Sequence, residues 1–386
     1  MSTDNTAKNI EITAVDSLQE VSSEQWDALD NSGDPFLKHA FLSGLEIHDC
    51  LAPQGWYPIH VLAKSDDELV AGIPLYLKDN SYGEFVFDWA WADAYERAGG
   101  KYYPKLVSAI PFTPATGNRI LVKPGWESTD LINGLLNAIK QLMAANKASS
   151  FHCLFPTKSQ AAVLTEATLL TRTACQYHWR NHNYQTFDDY LGALKSKRRK
   201  QIRKERREAN EAGLKIETIT GSDITEAHWH AFHQFYCSTF YRKWGEPRLT
   251  ENFFNYLSET MPDAPLLVLA SDNDRYIAGS FCMRGETTLF GRHWGCSEHY
   301  NHLHFELCYY RNIDFCIQHG LERFDAGAQG EHKITRGFEP VITWSNHLIR
   351  DEGFSNAISD FLARENLMID EYVANLGEHS AFRQVE

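Results

Sequence analysis

The sequence predicts an α/β protein of two related domains in tandem, residues 1–180 and 181–386, each a mixed central sheet flanked by helices. Three observations predict it. A chain of 386 residues is longer than one hydrophobic core usually serves. The segment VLAKSDDELVAG, Val61 to Gly72, returns as VLASDNDRYIAG, Val268 to Gly279, with Val-Leu-Ala and Ala-Gly at the same internal spacing. The second copy then continues as helix, hairpin, strand, helix and strand, an order that lays helices on the faces of a sheet.

Each copy is entered by a helical pattern containing Trp-x-Ala, around Trp26 in the first and Trp229 in the second. The repeated segments read as strand, polar turn, strand, because an apolar run enters an Asp/Asn/Ser-rich connection and another leaves it. A third, aromatic strand is expected downstream: GEFVFDWAWA from Gly83 in the first copy, TTLFGRHWGC from Thr287 in the second. KYYPKLVSAIPFTPATGNR, Lys101 to Arg119, has too many breakers for regular structure. Between the copies, TFDDYLGALKSKRRKQIRKERREANEAGLKIETI reads as one helix and the strand after it. Thr186 and Asp189 have capping-box spacing, the aspartates suit the positive end of the helix, and Gly213 suits its stop. ELCYYRNIDFCIQHG predicts an amphipathic helix closed by Gly320, and LERFDAG the next strand.

Composition narrows the function. The chain is 43% hydrophobic and 13% aromatic, as in folded proteins, and no apolar run approaches the roughly 20 residues that cross a bilayer. Its first residues, MSTDNTAKNIEIT, have no basic segment before an apolar run, so no signal peptide and a cytoplasmic location are expected. Eight scattered cysteines without a C-x-x-C pair predict reduced thiols. His228, His230 and His233 form an H-x-H-x-x-H run, but no second cluster has metal-ligand spacing, and no metal is expected.

The charge is unevenly placed. Lys+Arg 37 against Asp+Glu 51 gives a net charge of -14, yet nine of the thirteen residues from Lys195 to Arg207 are Lys or Arg. Such a run is either a solvated helix face or an anion site, with Arg198, Arg199 and Arg203 as candidate contacts. No aromatics interleave with the cations, so the run suits phosphate contact rather than base stacking on single strands. DNA is not an expected partner. The densest polar cluster is DAGAQGEHKITRGFEP, which follows a strand and joins Asp325, Glu331, His332, Lys333 and Arg336 to three glycines. Glycines let a backbone approach a ligand, and α/β folds place ligands beyond strand ends. Further candidates for substrate binding are Arg242, Lys243 and Trp244 after a helix, Tyr102 and Tyr103 in the Pro-rich loop, and Arg292 and Trp294 in RHWGCS. Neither a P-loop nor a dinucleotide G-x-G-x-x-G is present.

Taken together, DPFLKHAFLSGLE, YGEFVFDWAWADAYERAGGKYYPKLVSAIPFTPATGNR, FHCLFP, KSKRRKQIRKERRE, RKWGEP, LHFELCYYRNIDF and AGAQGEHKITRGFEP resemble the FemAB-like family of predicted N-acyltransferases, from about Asp34 to Glu365. That family is grouped with the Fem peptidyltransferases, and the resemblance implies tandem GNAT-like acyltransferase domains. It implies an amine acceptor related to peptidoglycan precursors and an acyl-CoA or aminoacyl-tRNA donor, with tRNA then a partner and no tightly bound cofactor. The basic helix and Arg336-Gly337-Phe338 resemble Fem features. The chain departs from them in lacking a long helical hairpin and in adding the segment Gly330 to Lys333. RHWGCS offers one glycine where GNAT enzymes carry a Q/R-x-x-G-x-G/A loop.

Direct attack of a neutral amine on an activated acyl carbon needs a proton acceptor and an oxyanion site. Lys333 and Arg336 are the candidates for the oxyanion and phosphate; Asp325, Glu331 and His332 are the candidate bases, all on a loop expected to face solvent. The competing class is a non-catalytic GNAT-like module that binds an anionic ligand or a partner protein. An enzyme requires the loop and the basic helix to face one cleft.

Overall fold

The chain begins with β1 (Ile10–Val15), α1 (Ser23–Asp27) and α2 (His39–Ile47) and continues through β2 (Trp56–Pro58), β3 (His60–Ser65), β4 (Glu68–Ile73) and β5 (Tyr76–Lys78). Then come α3 (Trp89–Arg97), β6 (Lys105–Ser108), β7 (Leu121–Val122), α4 (Thr129–Ala145), β8 (Ser150–Leu154), α5 (Lys158–Glu166) and β9 (Leu170–Arg180). The second half runs α6 (Phe187–Ala193), α7 (Ser196–Asn210), β10 (Lys215–Thr220), α8 (Glu226–Tyr241), α9 (Glu251–Thr260), β11 (Pro265–Asp272), β12 (Arg275–Arg284) and β13 (Thr288–Cys296). It closes with α10 (Leu303–Phe305), a π-helical turn over Glu306–Tyr310, α11 (Arg311–Gln318), β14 (Arg323–Asp325), a 3₁₀ turn over Glu331–Arg336, β15 (Glu339–Ile349) and α12 (Glu352–Glu378). This is a computed structural model that describes residues 9–243, 245–327 and 330–383, so Trp244 lies outside the described residues.

The halves repeat one another. β1-β3-β4-β7 and β10-β11-β12-β13 are antiparallel ribbons of the same order. Both repeated hairpins shift register just after the Ala of Val-Leu-Ala, between Ala63 and Lys64 and between Ala270 and Ser271. Both turn through a non-glycine residue at positive φ, Asp66 and Asn273. Leu29 and Phe232, each three residues beyond the tryptophan, press on Gly72 and Gly279, where a Cβ would lie 3.0 and 3.2 Å away. That close approach explains Ala-Gly in both copies.

Each half then gives its last strand to the other. β9 pairs antiparallel with β14 and with β15, and β15 pairs with β8, so β14-β9-β15-β8 forms the centre of an eleven-stranded sheet. One aromatic core spans both halves, with Phe36 edge-on to Phe290 at 5.1 Å and Phe41 to Phe253 at 5.5 Å.

Three expectations need correction. GEFVFDWAWA is an irregular segment and the start of α3, and β7 takes the third-strand place. The reason is polar: Glu84 and Asp88 are buried and both receive the Lys105 Nζ, at 2.8 and 2.5 Å, whereas in a strand residues four apart would stand roughly 13 Å from one another and could not converge on one ammonium. The Pro-rich segment contains β6, whose buried Leu106 and Val107 pair in parallel with β8. The basic segment is two helices, broken where Leu194 bridges Phe382 and the Lys195 N–H donates to Ala381 O at 2.8 Å. The Thr186–Asp189 capping box is present. RHWGCS lies in and just beyond β13 and offers no cradle loop.

The buried Lys105 cluster reaches the centre of the sheet. Tyr102 donates to Asp88 at 2.6 Å, and His152 on β8 meets His347 on β15, Nδ1 to Nδ1, at 2.6 Å. Burial holds His152 down to about 3 and His347 below its ordinary range, and it pushes Glu84 up to about 7. Among the described residues no helix is long and apolar enough to cross a membrane, and no group of three or more His, Cys, Asp or Glu could hold a metal ion. His228, His230 and His233 instead meet Thr225, Glu251 and Leu249 O.

Candidate active site

β13 and β14 are parallel neighbours only from Thr288 to Phe290 and Arg323 to Asp325. Beyond that β13 runs on to Cys296 while the chain after Asp325 turns away through Gly327, at φ 84°. Gly291 sits at the divergence, where a Cβ would come within 3.3 Å of Ala326 Cα. Along its other edge, β13 shifts register against β12 so that Cys282 faces Gly291 and Phe281 faces His293. Arg292 is the extra residue, and a bulge of this kind re-aims its side chain. The splay leaves a cleft of about 110 Å³ whose walls include Ser280, Arg292, Trp294, His304, Tyr309 and Asn312. The π-helical turn supplies Tyr309, and such turns recur at functional sites.

Several charged and proton-carrying groups meet here. Lys333, 2% exposed, donates its Nζ to Ala326 O at 2.9 Å and Gly327 O at 2.6 Å, which commits two of its three hydrogens. Burial lowers Lys333 to about 8, with Asp325 opposing the shift. Asp325 closes β14, accepts the Gly327 N–H at 3.0 Å, and lies 3.4 Å from Nε2 of His178 on β9. His178 is held below its ordinary value by burial, and its Nδ1 has no partner among the described residues. Tyr309 Oη and His332 Nε2 are 2.9 Å apart, and burial followed by Arg336 and Lys333 keeps His332 low. Burial takes His304 down to about 4. Arg292 is lowered to about 10 by burial, with Asp325 opposing, and donates to Thr113 Oγ1 at 3.0 Å and to Phe112 O in the other half.

Thus Arg292 and Trp294 line the cleft, and His332 and Lys333 stand behind it, bonded to its wall residues Tyr309 and Ala326, with Asp325 next to Ala326. Lys333 and Arg336 are buried where the sequence predicted a solvent-facing loop, whereas Glu331 and His332 are exposed. Arg336 turns elsewhere. Its guanidinium makes a bidentate pair with Glu205 of α7 at 2.9 and 3.0 Å, and it donates to Tyr310 Oη at 2.9 Å and to His332 O at 3.0 Å. Glu331 accepts from Tyr372 of α12 at 2.5 Å, outside the cleft. Tyr102 belongs to the Lys105 cluster, and Tyr103 meets Ser81 at 2.9 Å beside it. Arg242 ties the end of α8 to Cys296 O, and Lys243 is exposed next to it.

On α7, Arg203 pairs with Asp188 at 3.0 Å, Lys204 with Glu208, and Arg206 with the buried Glu306 at 3.1 Å. Lys197, Arg198, Arg199 and Lys200, in the first turns, have no ion pair among the described residues. The residues that sequence reasoning missed are His178, His304, Tyr309 and Asn312. Tyr309 had a signal in ELCYY, the segment that forms the π-helical turn; His178 had none, because only the strand exchange brings β9 to Asp325.

A family model described as peptidoglycan biosynthesis/recognition, the FemAB-like model, matches residues 17–384. No curated protein matches the chain. Among solved structures, FemX is similar at 12% identity, covering 90% of this chain and 100% of its own, with a TM-score of 0.54. The C-terminal domain of a putative lysylphosphatidylglycerol synthetase from Agrobacterium fabrum is similar at 9% identity, covering 90% and 97%, with a TM-score of 0.54. A tandem GNAT protein from the clavulanic acid biosynthesis pathway is similar at 11% identity, covering 88% and 98%, with a TM-score of 0.48. With two halves that repeat one another and a family match along nearly its whole length, the chain belongs to the FemAB-like family, described as peptidoglycan biosynthesis/recognition.

Proposed function

We propose that the cleft between β13 and β14 transfers an acyl or aminoacyl group from an activated donor, acyl-CoA or aminoacyl-tRNA, to an amine acceptor related to peptidoglycan precursors. The observation that carries this reading is the convergence of Lys333 with the Tyr309–His332 pair at the splay. A neutral amine attacks the acyl carbon, and the remaining Nζ hydrogen of Lys333 receives the oxyanion. Tyr309 takes the amine proton as it passes its own to Nε2 of His332, which is neutral near pH 7 because its proton affinity is lowered. Collapse expels the thiolate or ribose hydroxyl, and the proton returns through Tyr309 to that leaving group.

The cations at the start of α7 that lack an ion pair suit the donor's phosphates. Glu205 and Arg206 dock this helix on the Arg336 loop and the π-helical turn, which supports one shared surface. The test is a pH–rate profile of the purified protein with acyl-CoA and aminoacyl-tRNA donors. The wild-type rate should fall on the acid side, below the ordinary imidazole value of about 6.5, as His332 gains a proton. His332→Gln should lose that limb and about 10²-fold or more in rate; an unchanged profile places the base elsewhere.

A further inference from the structure

A second cavity, of about 200 Å³, lies between the halves, with Asp34, Gly117, Glu286, Thr288 and Arg323 among its walls. It carries opposite charges that do not meet. Asp34 is 7% exposed, uses Oδ1 to cap the Phe36 N–H at 2.9 Å, and leaves the buried Oδ2 without a partner among the described residues. That oxygen reaches over Gly117, where a Cβ would lie 2.4 Å from it. Arg323, on β14, has a buried Nε without a partner, and neither it nor Asp34 forms an ion pair among the described residues. Behind Asp34, the buried Arg119 spends its donors on the carbonyls of Leu154, Asn118 and Ala115, so it supports the carboxylate without closing the cavity.

Buried polar groups are costly without partners, and these two are complementary in sign across one cavity. Arg323 disfavours a bare cation, and Asp34 with Glu286 at the rim disfavours a bare anion. We infer that this cavity binds a small zwitterion of the free amino-acid class, its ammonium on Asp34 Oδ2 and its carboxylate on Arg323. The inference does not depend on the transferase reading, because its readout is binding alone.

Calorimetric titration of the full chain with individual free amino acids tests it, alongside L-alanine methyl ester, which lacks the carboxylate, and N-acetyl-L-alanine, which lacks the ammonium. Saturable binding of a free amino acid is expected. Capping either end of the ligand should weaken it about tenfold or more, as for loss of one charge-assisted hydrogen bond. Asp34→Asn, which keeps the Phe36 cap, and Arg323→Gln should each do the same, with thermal melts confirming that both variants fold. Absence of saturable binding by any free amino acid overturns the inference, as does binding that survives both caps or both substitutions.

Discussion

Lys333 and Arg336 lie one helical turn apart, and their partners separate their roles. Arg336 neutralises Glu205 in a site where both side chains are nearly sealed from water. Breaking a buried pair from one side leaves an uncompensated charge and costs about 3–5 kcal/mol. Arg336→Ala should therefore lower the denaturation midpoint strongly, and removing Glu205 as well should recover part of the loss; a wild-type midpoint in the single variant would show that the pair contributes nothing. Lys333 has a free hydrogen and a proton affinity brought down to about 8. Its oxyanion role needs the charged form, so kcat should decline as pH rises through about 8, an alkaline limb that Lys333→Met should abolish. If the limb persists in that variant, another group titrates there. The residue types of this loop were legible as a cluster of charge among glycines, but which cation was already paired was not, because Glu205 sits inside the basic run and reads there as one more surface charge.

Helix α7 divides its cations by face. Ile202, Glu205 and Ala209 are buried, Arg206 pairs with Glu306, and the first turns hold Lys197, Arg198, Arg199 and Lys200 without an ion pair among the described residues. Replacing Lys197, Arg198 and Arg199 by Ala should leave the thermal midpoint near wild type. It should also flatten the log–log salt dependence of tRNA binding by up to about 0.7–0.9 for each phosphate that the helix no longer neutralises. An unchanged slope, measured by titration across salt concentrations, would make these residues a solvated face. The capping box at Thr186 was legible because it is a local pattern. The break at Leu194 was not, since it is imposed by pairing with Phe382 from the far end of the chain.

Across the whole molecule, the repeated hairpins exposed the tandem fold, yet nothing local marks the exchange of β9 and β15. That exchange builds two things: the approach of His178 to Asp325 and the buried meeting of His152 with His347. Burial holds both members of the second pair neutral, so the unfolded chain takes up protons below about pH 6.5 that the folded chain refuses. Stability should be intact above that pH and fall on acidification from about 6.5 toward 3, by up to about 1.4 kcal/mol per pH unit from His152 alone. His347→Asn should shallow the acid limb of the denaturation midpoint, and an identical limb would assign it to other groups. The central claim is that acyl transfer occurs where β13 and β14 part, and it is tested most directly by kcat of Lys333→Met with the identified donor and amine, at a temperature where melts show the variant folded. A fall of about a hundredfold with donor affinity nearly unchanged is expected; near-normal kcat would place the chemistry elsewhere.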